Sequence, residues 1–156
     1  MNTEMTFQIS CAKLEDTLRL GEAVARGCRG GEVFELISDL GGGKTAFVRG
    51  MAHGIETEDD VSSPSFTINN TYQGKRLTLE HFDFYRLDEA GVVADELAED
   101  LYMPKTVVVV EWGNIVHDVL PPHTIRVQII PQESEARVFI FKYLPSLAYI
   151  FQELKQ

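Results

Sequence analysis

A chain of 156 residues, 44% hydrophobic and 24% charged, is long enough to bury one core and has the composition of an ordinary single globular domain. Its 24 acidic residues against 14 basic ones give a net charge of −10, which repels nucleic-acid phosphates and suits either docking on a basic partner or plain solubility. No apolar run approaches the ~20 residues of a membrane span, Met1-Asn2-Thr3-Glu4-Met5 lacks the basic and apolar parts of a signal peptide, and Cys11 and Cys28 have neither disulfide-framework nor zinc spacing, so they read as reduced thiols of a cytoplasmic protein.

The first predicted element is a helix over residues 14–25, with Leu14, Leu18, Gly21 and Ala25 along one face. Arg29-Gly30-Gly31 then turns the chain into an apolar strand at 33–37. Behind that strand stands Ser38-Asp39-Leu40-Gly41-Gly42-Gly43-Lys44-Thr45, and a helix is expected from Lys44 to about His53, with Ala46 in its first turn. Strand, glycine turn and helix form the context of a phosphate-binding loop of the Walker A type. Successive amides of such a turn make an anion nest, and the helix N-terminus adds partial positive charge. In that geometry Lys44 reaches the β- and γ-phosphates of a nucleotide, while the Thr45 hydroxyl is placed for Mg²⁺. Ser38 stands where the full signature has glycine.

An acidic loop, Glu56-Thr57-Glu58-Asp59-Asp60, leads to Ser62-Ser63-Pro64-Ser65-Phe66. Pro64 forces an extended entry there, and Ser63 to Phe66 has the position of a switch that orders around a γ-phosphate; an ordinary loop is the alternative. Residues 66–72 and 77–85 have strand propensity and are joined by a turn at Gln73-Gly74-Lys75. Alternation along the second strand puts His81, Asp83 and Tyr85 on one face and Phe82 and Phe84 on the other. Asp83 is thereby a candidate second carboxylate, His81 reads as structural, and Arg86 reads as an ion-pair partner.

A short acidic helix is expected over 93–102, followed by Val107-Val108-Val109-Val110, a run typical of a strand buried on both faces. Glu111 ends that strand at the edge where ligands of open α/β sheets sit, a position suited to hold Mg²⁺ directly, through water, or to activate the attacking water. Trp112 either lines the pocket or covers the core. A second hairpin is read at 125–130 and 137–141, and a terminal helix at 147–154. The whole is one domain over 1–156, a P-loop NTPase-like fold with a mixed central sheet flanked by helices.

Taken in order, Asp39 to Thr45, Ser63-Pro64-Ser65-Phe66, His81-Phe82-Asp83-Phe84-Tyr85-Arg86-Leu87 and Val110-Glu111-Trp112 resemble the TsaE family over about residues 10–140. The resemblance implies an ATPase of tRNA threonylcarbamoyladenosine biosynthesis that works with the TsaD and TsaB proteins. It would meet tRNA only through that assembly, and its ATP hydrolysis would support turnover of the transferase without transferring the group itself. It also implies Lys44 on the phosphates, Thr45 and Glu111 at Mg²⁺, and Asp83 as a catalytic or metal-linked carboxylate. Adenine contacts are sought near residues 12–17 and 131–137. Two other classes share a phosphate loop: a small-molecule kinase, for which the acidic stretch 56–60 supplies no basic lid, and a nucleotide-sensing module without hydrolysis.

Overall fold

A computed structural model describes residues 3–38, 43–59, 61, 69–85, 87–89 and 91–155. Its frame is one mixed sheet built from β1 (Met5–Cys11), β2 (Val33–Ile37), β3 (Asn69–Gln73), β4 (Thr78–Asp83), β5 (Thr106–Glu111), β6 (Ile125–Pro131) and β7 (Arg137–Tyr143). The spatial order is β1-β7-β6-β2-β5-β4-β3. The central strands β6, β2, β5 and β4 run parallel; the β3–β4 hairpin closes one edge, and at the other the β6–β7 hairpin is followed by β1, antiparallel to β7. All four valines of β5 are at most 1% exposed, as an uninterrupted β-branched run in a central strand requires.

Strand β1 was absent from the expectation above. Its inner residues Phe7, Ile9 and Cys11 pack on the core while Thr6, Gln8 and Ser10 are exposed, a period of two that marks a half-buried strand. Helices α1 (Leu14–Gly27), α2 (Lys44–Gly54) and α3 (Gly91–Asp100) fall where the sequence placed them, with shifted ends. The buried stripe of α1 is Thr17, Leu20, Gly21, Val24 and Ala25, rotated from the expected one, and Leu14 is 41% exposed. Close approach of α1 and α2 explains the rotation. A Cβ on Gly21 would lie 2.3 Å from the Phe47 carbonyl oxygen, and one on Gly50 would lie 2.2 Å from that of Leu18. The stripe is therefore centred on glycine, where the two backbones touch.

Instead of one terminal helix, the chain end forms two 3-10 segments, Pro145–Phe151 and Glu153–Lys155. One face of the sheet carries α1, α2 and the first of these segments, around Phe47, Phe139, Phe141 and Phe151. The other carries α3 and a 3-10 turn, Gly113–Val116, around Val108, Val110 and Phe82. Consequently the chain leaves β2 toward one face, into α2, and leaves the adjacent β5 toward the other. That divergence is a topological switch point, and it opens a crevice at the C-terminal ends of β2 and β5.

Candidate functional site

The crevice is built from three strand ends and one helix start. Gly43, the N-cap of α2, has φ +100°, a left-handed conformation that a glycine adopts without the clash a Cβ brings. Lys44 follows as the first helical residue, and its side chain folds back so that Nζ donates to the Ser38 carbonyl at 3.2 Å. The lysine thereby bridges the end of β2 and the start of α2. Asp39, Leu40, Gly41 and Gly42, the middle of the predicted phosphate loop, lie outside the described residues, as do Ser63, Pro64, Ser65, Phe66 and Arg86. Thr45 is exposed at the first turn of α2, and Ala46 is half-buried behind it.

Opposite the lysine, register does the positioning. Asp83 on β4 pairs with Glu111 on β5, so the two carboxylates end adjacent strands side by side. Glu111 Oε1 stands 3.7 Å from Lys44 Nζ, both side chains being almost fully buried. The ammonium also lies 4.5 Å from the centroid of the Trp112 ring, which packs in turn on Tyr85 with centroids 4.9 Å apart. Trp112 thus lines the crevice with one face and also packs against the core around Val108, Val110 and Phe82, so it takes both of the places open to it. It does so at φ +57°, a left-handed conformation that costs a bulky residue about 1–2 kcal/mol.

Asp83 ends its strand by accepting the Tyr85 amide at 3.0 Å. Burial raises its pKa above the ordinary aspartate value and nearby Glu111 adds to the rise, while the Tyr85 amide, His81 and Lys44 pull the other way. Glu111 has a further partner: His81 Nε2 hydrogen-bonds its Oε2, and the imidazole is 1% exposed. The alternation that aligned His81 with Asp83 carried this signal, although the sequence reading gave the histidine only a structural role.

The donor chemistry fits Mg²⁺. Thr45, Asp83 and Glu111 offer only oxygen, the ligand type of a hard cation. Among the described residues no group of three or more His, Cys, Asp or Glu gathers as a protein cage. Mg²⁺ ordinarily takes one or two carboxylates with phosphate oxygens and water, and the Asp83–Glu111 pair at the strand ends suits that arrangement.

The two segments sought for a base contact lie together beside the loop. Glu135 Oε2 accepts the Leu14 amide at 3.1 Å, joining the β6–β7 turn to the start of α1. A Cβ on Gly43 would meet Arg137 Nε at 3.3 Å, so this guanidinium rests against Gly43 at the start of α2. On the other face of the sheet a cleft of about 390 Å³ reaches Ser38, Trp112 and Asn114. Among the described residues no helix is long and apolar enough to cross a membrane.

Comparison with known proteins gives a consistent result. The model of the family described as "Threonylcarbamoyl adenosine biosynthesis protein TsaE" matches residues 11–139. A tRNA threonylcarbamoyladenosine biosynthesis protein TsaE of Treponema pallidum is 38% identical over 115 residues, covering 74% of this chain and 84% of that one. The Bacillus subtilis protein of the same name is 32% identical over 128 residues, covering 81% and 79%. The fold is similar to the crystal structure of YdiB from Bacillus subtilis, with a TM-score of 0.80 at 24% identity over 99% of this chain and 97% of that one.

Proposed function

The chain belongs to the TsaE family of threonylcarbamoyladenosine biosynthesis proteins, and from that premise we propose that it is a Mg²⁺-dependent ATPase, hydrolysing ATP to ADP and phosphate to drive the cycle of a TsaD–TsaB transferase assembly. The observation that carries the reading is the buried Lys44–Glu111 pair, set at the switch point of the sheet where the ends of β2 and β5 meet the start of α2. A lysine there has one evident use for a nucleotide: its ammonium is placed to move onto the terminal phosphates, where charge builds as the bond to the leaving group lengthens. The amides of residues 38–46 cradle the same phosphates, at the positive end of α2. Thr45, Glu111 and Asp83 would hold the metal, which when bound would neutralise phosphate charge.

Glu111 has the better position to orient the attacking water and accept its proton, because it lies opposite the lysine. Asp83, whose pKa is raised by burial, takes the neighbouring place at the metal. The base is assigned to the space between α1 and the β6–β7 turn, with Arg137 against Gly43. A surface of net charge −10 favours meeting tRNA only through the partner proteins. The cytoplasm suits Cys11 and Cys28, both buried as free thiols.

The decisive experiment measures phosphate release from ATP with no acceptor present, for the wild type and for Glu111→Gln. Loss of a general base costs about 10²–10⁴-fold in rate. Glu111→Gln is expected to fall by that factor while still binding ATP. Release at the wild-type rate would remove Glu111 from the reaction, and an absence of release by the wild type, alone and with TsaD and TsaB, would end the ATPase reading. Co-purification with TsaD and TsaB in ATP and in ADP tests the partner assignment, which requires association to depend on the nucleotide.

A further inference from the structure

Packing alone gives no use for an imidazole at position 81. The ring is 1% exposed and points toward the face that holds Leu79 and Val109, both fully buried. An apolar side chain would fill the place at no polar cost. The histidine instead leaves Nδ1 buried and without a hydrogen-bond partner among the described residues. A buried nitrogen without a partner loses its water and gains no bond in return. Its other nitrogen is committed to Glu111 Oε2. The contact follows from register, since His81 pairs with Val109 and Asp83 with Glu111, so histidine and glutamate lie one step apart on one face of adjacent parallel strands.

We propose that His81 is a positioning residue for the reaction, its Nε2–H holding Glu111 Oε2 so that the carboxylate cannot rotate and Oε1 keeps facing Lys44. Two oxygens of one carboxylate then have separate tasks. Oε2 is anchored from below by the imidazole, and Oε1 stands 3.7 Å from the ammonium, toward the crevice. Two lone pairs repel, so a proton must lie between Nε2 and Oε2, and an ionised carboxylate accepts it from the ring. The tautomer with hydrogen on Nε2 also leaves only an acceptor at the unpaired Nδ1. Anchoring matters because a group that acts on a water or metal loses about 10²-fold when displaced by ~1 Å. The inference rests on the ATPase reading, for it concerns the placement of the group that reading assigns to the water.

The test uses two amide replacements that differ only in reach. Glutamine places its side-chain nitrogen where Nε2 lies, and asparagine places it where Nδ1 lies. His81→Asn is expected to lower kcat about 10–100-fold, the usual loss when a partner behind a ligand is removed, with the affinity for ATP unchanged. His81→Gln is expected to recover most of that loss. Equal rates in the two variants, or a loss that follows melting temperature instead of reach, would reduce His81 to packing. A second readout does not need turnover: nitrogen-15 spectra of histidine-labelled protein, with His81→Gln for assignment. A proton on Nε2 that is perturbed by Glu111→Gln supports the anchor, and a bare Nε2 in the wild type overturns it even if the chain hydrolyses ATP. If the wild type releases no phosphate while Nε2 carries its proton, the ATPase reading fails and His81–Glu111 is a structural pair.

Discussion

Lys44 is held by three partners of different chemistry: a carbonyl, a carboxylate and an aromatic ring. Nucleotide phosphates would compete for the same ammonium, and Trp112, the sole tryptophan of the chain, would register its departure. MgATP is therefore expected to change the tryptophan emission of the wild type. Lys44→Ala should lose that response and bind ATP more weakly by about 1.5–3 kcal/mol, the worth of a hydrogen bond to a charged group, or about ten- to a hundredfold in Kd. An unaltered titration of Lys44→Ala would displace the lysine from the phosphates. Spacing alone marked Lys44, Glu111 and Asp83 as candidates, and the fold brings them together, because a strand-loop-helix signature and a strand-end acid are local features. The bond from His81 to Glu111 was not visible in that way. It depends on the parallel register of β4 with β5, two strands 23 residues apart at their nearest ends, Asp83 and Thr106.

At the scale of elements, α1 and α2 pack by backbone contact. Gly50 has no room for a methyl group, since the Leu18 carbonyl oxygen would lie 2.2 Å away. Gly50→Ala should force the helices apart and cost at least the ~1–3 kcal/mol of an overpacked core, read as a lower midpoint in urea unfolding. A wild-type midpoint would mean that α1 shifts without cost. This contact also marks what the sequence could convey. The central strands were legible as apolar runs, whereas the rotation of α1 was not, because glycine carries no apolar signal yet sits at the centre of the interface. Strand β1 did carry a legible period-two signal, Phe7, Ile9 and Cys11 alternating with polar residues, so its omission was not forced by the sequence.

Helix α3 carries a different kind of strain. Burial, with Glu80, Glu96 and Glu99 nearby, pushes Asp100 up to about 6 from 3.8. A carboxyl whose pKa is higher in the folded chain favours the protonated form there. Its ionisation therefore penalises the fold fully above pH 6, and the penalty fades as pH falls toward 3.8. Asp100→Asn should raise the melting temperature near about pH 8 and leave it unchanged near about pH 4. An equal gain at both values would assign the effect to something other than charge.

The whole molecule is closed by residues that the family model does not reach, since its match stops at 139. Phe151 lies 5.5 Å from Phe7, 5.0 Å from Phe141 and 4.5 Å from Tyr143, measured between ring centroids. One side chain from the end of the chain therefore joins β1 to β7 over the face that also carries α1 and α2. Near it, the Tyr149 hydroxyl donates to Glu32 at 2.6 Å, and Glu32 also accepts the amides of Arg29 and Gly30 at the turn into β2. The tail thus braces the entrance of β2, the strand whose other end leads into the predicted phosphate loop. Phe151→Ala should lower the unfolding free energy by about 3–5 kcal/mol, the range for removing a buried phenylalanine, as measured by urea denaturation. Because Phe151 touches none of Lys44, Asp83 or Glu111, the surviving folded fraction should bind ATP with wild-type affinity. Loss of affinity in step with loss of stability would mean that the tail and the candidate site form one cooperative unit, and that the brace through Glu32 reaches the site.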